Sequence, residues 1–429
     1  MKVSYYNIGC KVNFAEISQI QDQFEKLGFE TVEFGKESDI VIINTCTVTN
    51  KADADSRKII RRAIRTAPQA YIIAIGCYAQ LKPEDIGQIE GVNAIFGNEH
   101  KFDIPKFVKE YKKNKERSNF ITYQRDIPFH SACSVDNESH TRIVLKIQDG
   151  CDYFCSYCAV AYARGKSRSM DFSELKKKID ELANTNFYEI VLSGINLGEY
   201  KSLTGEKFLD ILKFIDDLDI KQRIRISSIE PNLLTDEIID IVAKSSKICP
   251  HFHIPLQSGS DDILKAMRRK YFSEDFERLV IKIKNKIPDC CIGVDIITGF
   301  PGETDEDFNR TFTLIENLPI SYIHPFTYSE RDITIASKFP NKVNSKVQKE
   351  RTIRLRFLSE IKKNDFYKSQ LNSIKTIIPE VFDSENSFCF GWSENYIRVK
   401  FKMTNKKIFE PIKVKLLDLS DGIVVGNIQ

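Results

Sequence analysis

Arg142-Ile-Val-Leu-Lys-Ile-Gln-Asp-Gly-Cys-Asp-Tyr-Phe-Cys-Ser-Tyr-Cys158 decides how this chain is read. An apolar run of strand character, residues 142–148, leads straight into three cysteines spaced Cys151-x3-Cys155-x2-Cys158. Thiolate sulfur is the soft donor that iron–sulfur clusters prefer, and three protein ligands leave one iron of a cubane open to a substrate or cofactor. An open iron implies chemistry, whereas four thiolates usually imply electron transfer. The competing reading is a zinc knuckle, which wants a fourth Cys or His at a second short spacing; none follows Cys158 nearby.

Downstream of this loop, strand-like segments near 188–193, 223–228, 251–255, 291–298 and 321–327 alternate with helical patterns near 171–184, 205–217, 235–245, 260–286 and 304–316. Together with the run 142–148 they predict a partial (β/α)6 TIM-like barrel over residues 141–366, with the cysteine loop at its mouth. Upstream, apolar runs at 2–8, 39–45 and 70–76, separated by helical patterns at 13–27 and 50–66, predict an open parallel α/β sheet within residues 1–115. One cysteine closes each run: Cys10, Cys46 and Cys77. Ligand crevices in open α/β sheets lie at the carboxyl ends of the strands, so three cysteines distant in sequence would converge on a second cluster site. Each could instead be a small buried hydrophobe.

Residues 116–140 are polar and read as a linker, in which His130 and Cys133 receive no role. Alternation over 374–382, 396–402 and 412–416 predicts a small all-β domain at 367–429. The chain is thus α/β and multidomain, as its 429 residues require. Hydrophobic residues at 42% and charged residues at 29% suit a soluble protein, and no apolar run is long enough to cross a membrane. The start lacks a signal-peptide pattern. Eleven cysteines without an export signal point to metal or redox chemistry in a reducing cytoplasm.

The C-x3-C-x2-C spacing, with Tyr157 before its last cysteine, resembles the signature of radical S-adenosylmethionine (SAM) enzymes. The whole chain resembles the methylthiotransferases within that superfamily. Gly9-Cys10-Lys11-Val12-Asn13, Asn44-Thr45-Cys46-Thr47-Val48-Thr49 with Lys51-Ala52-Asp53, and Ala163-Arg164-Gly165-Lys166-Ser167-Arg168 look like the subgroup acting on threonylcarbamoyladenosine at tRNA position 37. The resemblance implies 4Fe-4S clusters on Cys10/Cys46/Cys77 and on Cys151/Cys155/Cys158, SAM as cofactor, and a C-terminal TRAM domain. It also implies a C–H to C–SCH3 conversion at C2 of the adenine, in which a 5'-deoxyadenosyl radical removes the hydrogen. Related subgroups acting on isopentenyladenosine or a ribosomal-protein aspartate carry different residues after the second cysteine. A non-catalytic iron–sulfur RNA-binding protein is the reading from another class, and open ligation at both sites argues against it. Two positions depart from the pattern: Ala161 stands where proline is expected, and Ile333 where glycine is expected.

Strand ends supply candidate SAM contacts: Ser193, Gly194 and Asn196, then Ser228 and Glu230, then Gln257 and Ser258, with Ile297 in the Gly-rich stretch 295–303. Gly194 could equally be a turn glycine and Ser258 a helix cap. Basic runs mark candidate tRNA contacts: Arg61 and Arg62 on a helical face at 57–65, Arg351, Arg354 and Arg356 within 342–363, and Arg398 and Lys400 on a strand of the last domain. A solvated face is the bland reading of such runs. Arg164 and Arg331 are candidate partners for a substrate carboxylate. The expected partners are tRNA and an electron donor such as flavodoxin or ferredoxin, with no membrane, for a cytoplasmic monomer.

Overall fold

A computed structural model describes residues 1–110, 118–134, 141–383, 387–403 and 410–429. Six parallel strands form the first sheet, in spatial order Glu30–Val32, Lys2–Asn7, Ile40–Thr45, Tyr71–Gly76, Val92–Phe96 and Ser118–Phe120. Ile40–Thr45 is buried at every position, as expected of a central parallel strand covered on both faces. Helix Asn50–Thr66 begins at Thr49, whose side chain accepts the Ala52 N–H, and buries Ile60 and Ala63 while Arg61, Arg62 and Arg65 face outward. Gly76 is obligatory. Its φ is +95°, and a Cβ there would lie 2.4 Å from the Thr45 carbonyl.

The second domain is a six-stranded parallel arc that follows chain order: Arg142–Lys146, Glu189–Ser193, Arg223–Ile226, His251–His253, Cys291–Thr298 and Tyr322–Thr327. Parallel bridges from Ile224 to Ile248 and from Ser228 to His253 join its halves. Among the described residues no pairing links the last strand to the first, so the barrel is partial. Part of the stretch read as linker is structured: Ser118–Phe120 extends the first sheet, and Ala132–Cys133 pairs antiparallel with Arg142–Lys146.

Two helices differ from expectation. The pattern at 260–286 is two helices, Asp261–Ala266 and Ser273–Lys286, because Arg268 takes φ +61° and Asp275 caps the Phe272 N–H to start the second. Residues 345–363 of the basic run lie within helix Ser345–Ser369, which packs on the last arc strand. The C-terminal region is a closed five-stranded barrel; its strands Phe388–Ser393 and Ile423–Ile428 were not read from the alternation.

A buried charge cluster joins the first two domains. Glu16, on helix Lys11–Lys26, accepts from Lys101 (2.6 Å), Lys146 (2.9 Å) and Arg164 (3.0 Å), and Asp149 takes Arg164 and Arg168. Burial alone would raise the Glu16 pKa, but Arg164, then Lys101 and Lys146, hold it well below the usual carboxylate range. A folded-state pKa below the unfolded value gives stability that is present above about pH 4.3 and is lost as pH falls below it. Glu16→Ala, which leaves the buried Lys101 without a carboxylate and Lys146 and Arg164 with Asp149 alone, is expected to cost about 3–5 kcal/mol in denaturant unfolding and to flatten the acid limb of the stability curve.

Candidate active site

The strand order of the first sheet reverses between Lys2–Asn7 and Ile40–Thr45, so their carboxyl ends open a crevice. Cys10 and Cys46 follow these two strands, and Cys77 follows the next. A Cβ on Gly9 would sit 3.1 Å from the Cys46 Cβ, so the first two loops touch. Burial, then the neighbouring Cys77, push the Cys46 thiol up to about 12. Burial likewise raises the Cys77 thiol, with Arg164 opposing and Cys10 adding to the rise.

The second trio wraps the loop between Arg142–Lys146 and helix Val160–Arg164. Tyr153 N–H donates to Cys151 Sγ (3.4 Å), Arg269 Nη1 donates to Cys155 Sγ (3.1 Å), and the Val160 and Ala161 N–H groups serve Cys158. Burial is the main cause of the Cys158 rise to about 11. Donors of this kind stabilise anionic sulfur once a metal has displaced the proton. Alanine at 161 therefore contributes an N–H that proline would lack. Ile333 likewise needs no glycine, since its φ is not positive. All six cysteines are free thiols. Among the described residues no three His, Cys, Asp or Glu side chains are placed to hold a single metal ion. The donor sets present are two all-sulfur trios, with backbone or guanidinium N–H groups aimed at four of the sulfurs, which is the ligand chemistry of iron–sulfur clusters.

A cavity of about 650 Å3 is walled on one side by Cys10, Cys46 and Cys77 and on the other by Ser193, Gly194, Ser228 and Phe326 of the barrel. Val160 and Arg164, on the helix that follows Cys158, border it too. A second cleft of about 650 Å3, between the barrel and the C-terminal domain, holds neither trio.

The structure sorts the expected SAM contacts. Gly194 is not required by a positive φ; a Cβ there would meet Gln148 Oε1 at 2.8 Å. That oxygen accepts the Ile195 and Asn196 N–H groups, both at 2.8 Å. The Ser193 carbonyl accepts the Ile147 N–H (2.9 Å), while both polar atoms of the buried Asn196 amide lack a partner in the protein and suit a polar ligand. Ser228 Oγ meets His253 Nδ1 at 3.2 Å. Gln257 takes φ +68° and accepts the Ile297 N–H, and Ile297 packs in an apolar cluster with Tyr157 and Phe300. Glu230 pairs with Arg269, which links it to Cys155.

Four assignments are corrected. Ser258 is turned into the core, where its hydroxyl meets Thr311 Oγ1 (3.3 Å) and accepts the Ser260 N–H (3.2 Å), so it faces no cofactor. Arg351 is 5% exposed and holds Glu303 and Asp305 (2.7 Å to the latter), so it is unavailable to a phosphate. Arg164, at 1% exposure, is consumed by Glu16 and Asp149. Arg331 is equally committed: it donates to Asn50 Oδ1 (2.8 Å), Thr47 Oγ1 and Asp53 Oδ2 (2.7 Å), latching the barrel to the loop and helix after Cys46. Part of the motif after Cys46 is thus an interdomain clasp. Arg61, Arg62, Arg354, Arg356 and Arg398 are exposed and Lys400 is half-buried. Arg269 and Gln148 were missed. Neither carries a local signal in the sequence that marks it.

A parallel arc with a three-thiol loop at its mouth, preceded by an α/β domain with its own thiol trio, defines a radical SAM enzyme with a second cluster site. Residues 145–315 match the Radical SAM superfamily and residues 2–97 the Uncharacterized protein family UPF0004. The threonylcarbamoyladenosine tRNA methylthiotransferase MtaB of Bacillus subtilis is 38% identical over 97% of this chain and 93% of its own length. That of Aquifex aeolicus is 35% identical over 93% and 96%. This chain belongs to the radical SAM methylthiotransferase family. A solved structure of the radical SAM methyltransferase TsrM from Kitasatospora setae shares the fold, with TM-score 0.57 over 78% of this chain and 75% of that one at 15% identity.

Proposed function

We infer that this protein converts N6-threonylcarbamoyladenosine at position 37 of tRNA to its 2-methylthio derivative. The observation that carries the reading is a cavity walled by Cys10, Cys46 and Cys77 and bordered by Val160 and Arg164 of the helix that follows Cys158, in a chain whose relatives carry that activity in their names. The Cys10/Cys46/Cys77 and Cys151/Cys155/Cys158 trios hold the two 4Fe-4S clusters. When bound, the clusters and SAM supply the methylthio group and the radical that opens the C2–H bond. Ser193, Gly194, Asn196, Ser228, Glu230, Gln257 and Ile297 border the SAM site. Arg269 fixes Glu230 and Cys155 together. The Arg331 clasp and the Glu16 cluster hold the two domains in register, so that the trios keep their separation.

Arg61, Arg62, Arg354, Arg356, Arg398 and Lys400 are the proposed phosphate contacts on tRNA. An acidic flavodoxin or ferredoxin is the proposed electron donor, acting on a monomer where tRNA is found, in the cytoplasm. No described helix is long and apolar enough to cross a membrane. Purified, cluster-loaded protein assayed on matched tRNAs that differ only at position 37 tests the assignment. Methylthiolation of the threonylcarbamoyl form, with none of the unmodified or isopentenyl forms, is the expected outcome. Preference for isopentenyladenosine overturns the substrate and leaves the chemistry standing.

A further inference from the structure

The charged side chains that line the cavity beside Cys10, Cys46 and Cys77 are all cationic. Its described lining contains Lys11, Arg142, Arg164 and Arg225 and no aspartate or glutamate. Three of these cations are already matched. Arg164 is held by Glu16 and Asp149, Arg225 by both oxygens of Glu189 (2.8 and 2.9 Å), and Arg142 by Glu380. Among the described residues Lys11 forms no salt bridge, and Arg225 and Arg142 act on it more strongly than Glu189 does. It directly follows Cys10 at the start of helix Lys11–Lys26 and is exposed. It lines the cavity together with His251 and His324 of the barrel wall. Glu380, in the adjoining cavity that Lys11 also borders, is occupied by Arg142 and by Thr141 (3.3 Å).

We propose that the Lys11 ammonium binds the carboxylate of the threonylcarbamoyl group and thereby determines which modified adenosine the cavity accepts. This rests on the substrate assignment above. C2 and the N6 substituent share the Watson–Crick edge of adenine, so a group that grips the substituent must stand beside the site that delivers sulfur to C2. Lys11 is one residue from Cys10. A carboxylate entering a cavity lined by no aspartate or glutamate, beside an ammonium without an ion-pair partner, forms a charge-assisted hydrogen bond, whereas an isopentenyl group would leave that ammonium unpaired.

The test compares wild type, Lys11→Met and Lys11→Arg, each cluster-loaded and checked for equal iron content and melting temperature. Binding is measured to two tRNAs that differ only in carrying threonylcarbamoyladenosine or adenosine at position 37. Lys11→Met is expected to weaken binding of the threonylcarbamoyl tRNA by about tenfold to a hundredfold, the range for one lost charge-assisted hydrogen bond, and to leave the adenosine tRNA unchanged. Lys11→Arg should retain most of the discrimination. Equal weakening of both tRNAs makes Lys11 a phosphate contact and overturns the proposal, as does no change in either. A wild-type protein that binds both tRNAs alike overturns the substrate assignment itself, and the two failures are thereby distinguished.

Discussion

Alanine at any one of Cys151, Cys155 or Cys158 is expected to abolish reductive cleavage of SAM. The loop supplies only three thiols, and each has its own environment: a Tyr153 N–H for Cys151, the Arg269 guanidinium for Cys155, and two backbone N–H groups for Cys158. Two remaining sulfurs cannot hold a cubane with one defined open iron. Release of 5'-deoxyadenosine under reducing conditions is the measurement, and it should fall to background in all three variants. The fold should survive, because the arc is built on Ile143, Leu145, Ile190 and their neighbours and not on the loop. Near-normal 5'-deoxyadenosine from any of these variants would remove the loop from the chemistry.

The triple variant with alanine at Cys10, Cys46 and Cys77 should behave in the opposite way. It should still cleave SAM when reduced, yet place no methylthio group on tRNA. These thiols belong to a separate sheet, and the radical loop does not depend on them for its donors or its position. Mass spectrometry of tRNA nucleosides should show no 2-methylthio product, while 5'-deoxyadenosine continues to form. Modified tRNA from this variant would move the sulfur site elsewhere. Loss of both activities together would point instead to collapse of the domain interface, which the Glu16 cluster and the Arg331 clasp hold.

The thiol trios and the order of elements were legible because their signals are local. Cys151-x3-Cys155-x2-Cys158 is one turn of loop, and the strands before Cys10, Cys46 and Cys77 are short apolar runs whose period needs no distant partner. Helix Asn50–Thr66 was readable to the residue, since Thr49 caps it and Ile60 with Ala63 sets its buried face. The break between Asp261–Ala266 and Ser273–Lys286 was not, because apolar periodicity runs on across it and only Arg268 at positive φ stops the helix.

By itself the sequence determined the fold class, the two thiol trios and the family the chain belongs to. Tertiary structure alone decided what the charged residues do. Arg164 and Arg351 look like free cations in basic stretches and Arg331 like a free loop cation, yet each lies buried against carboxylates 15 or more positions away along the chain. Lys11 looks no different from them, and it is left unmatched at the cavity. The physical reason is range. Periodicity and ligand spacing are written within a few residues, whereas the fate of a charge depends on which distant carboxylate folding brings within hydrogen-bond reach.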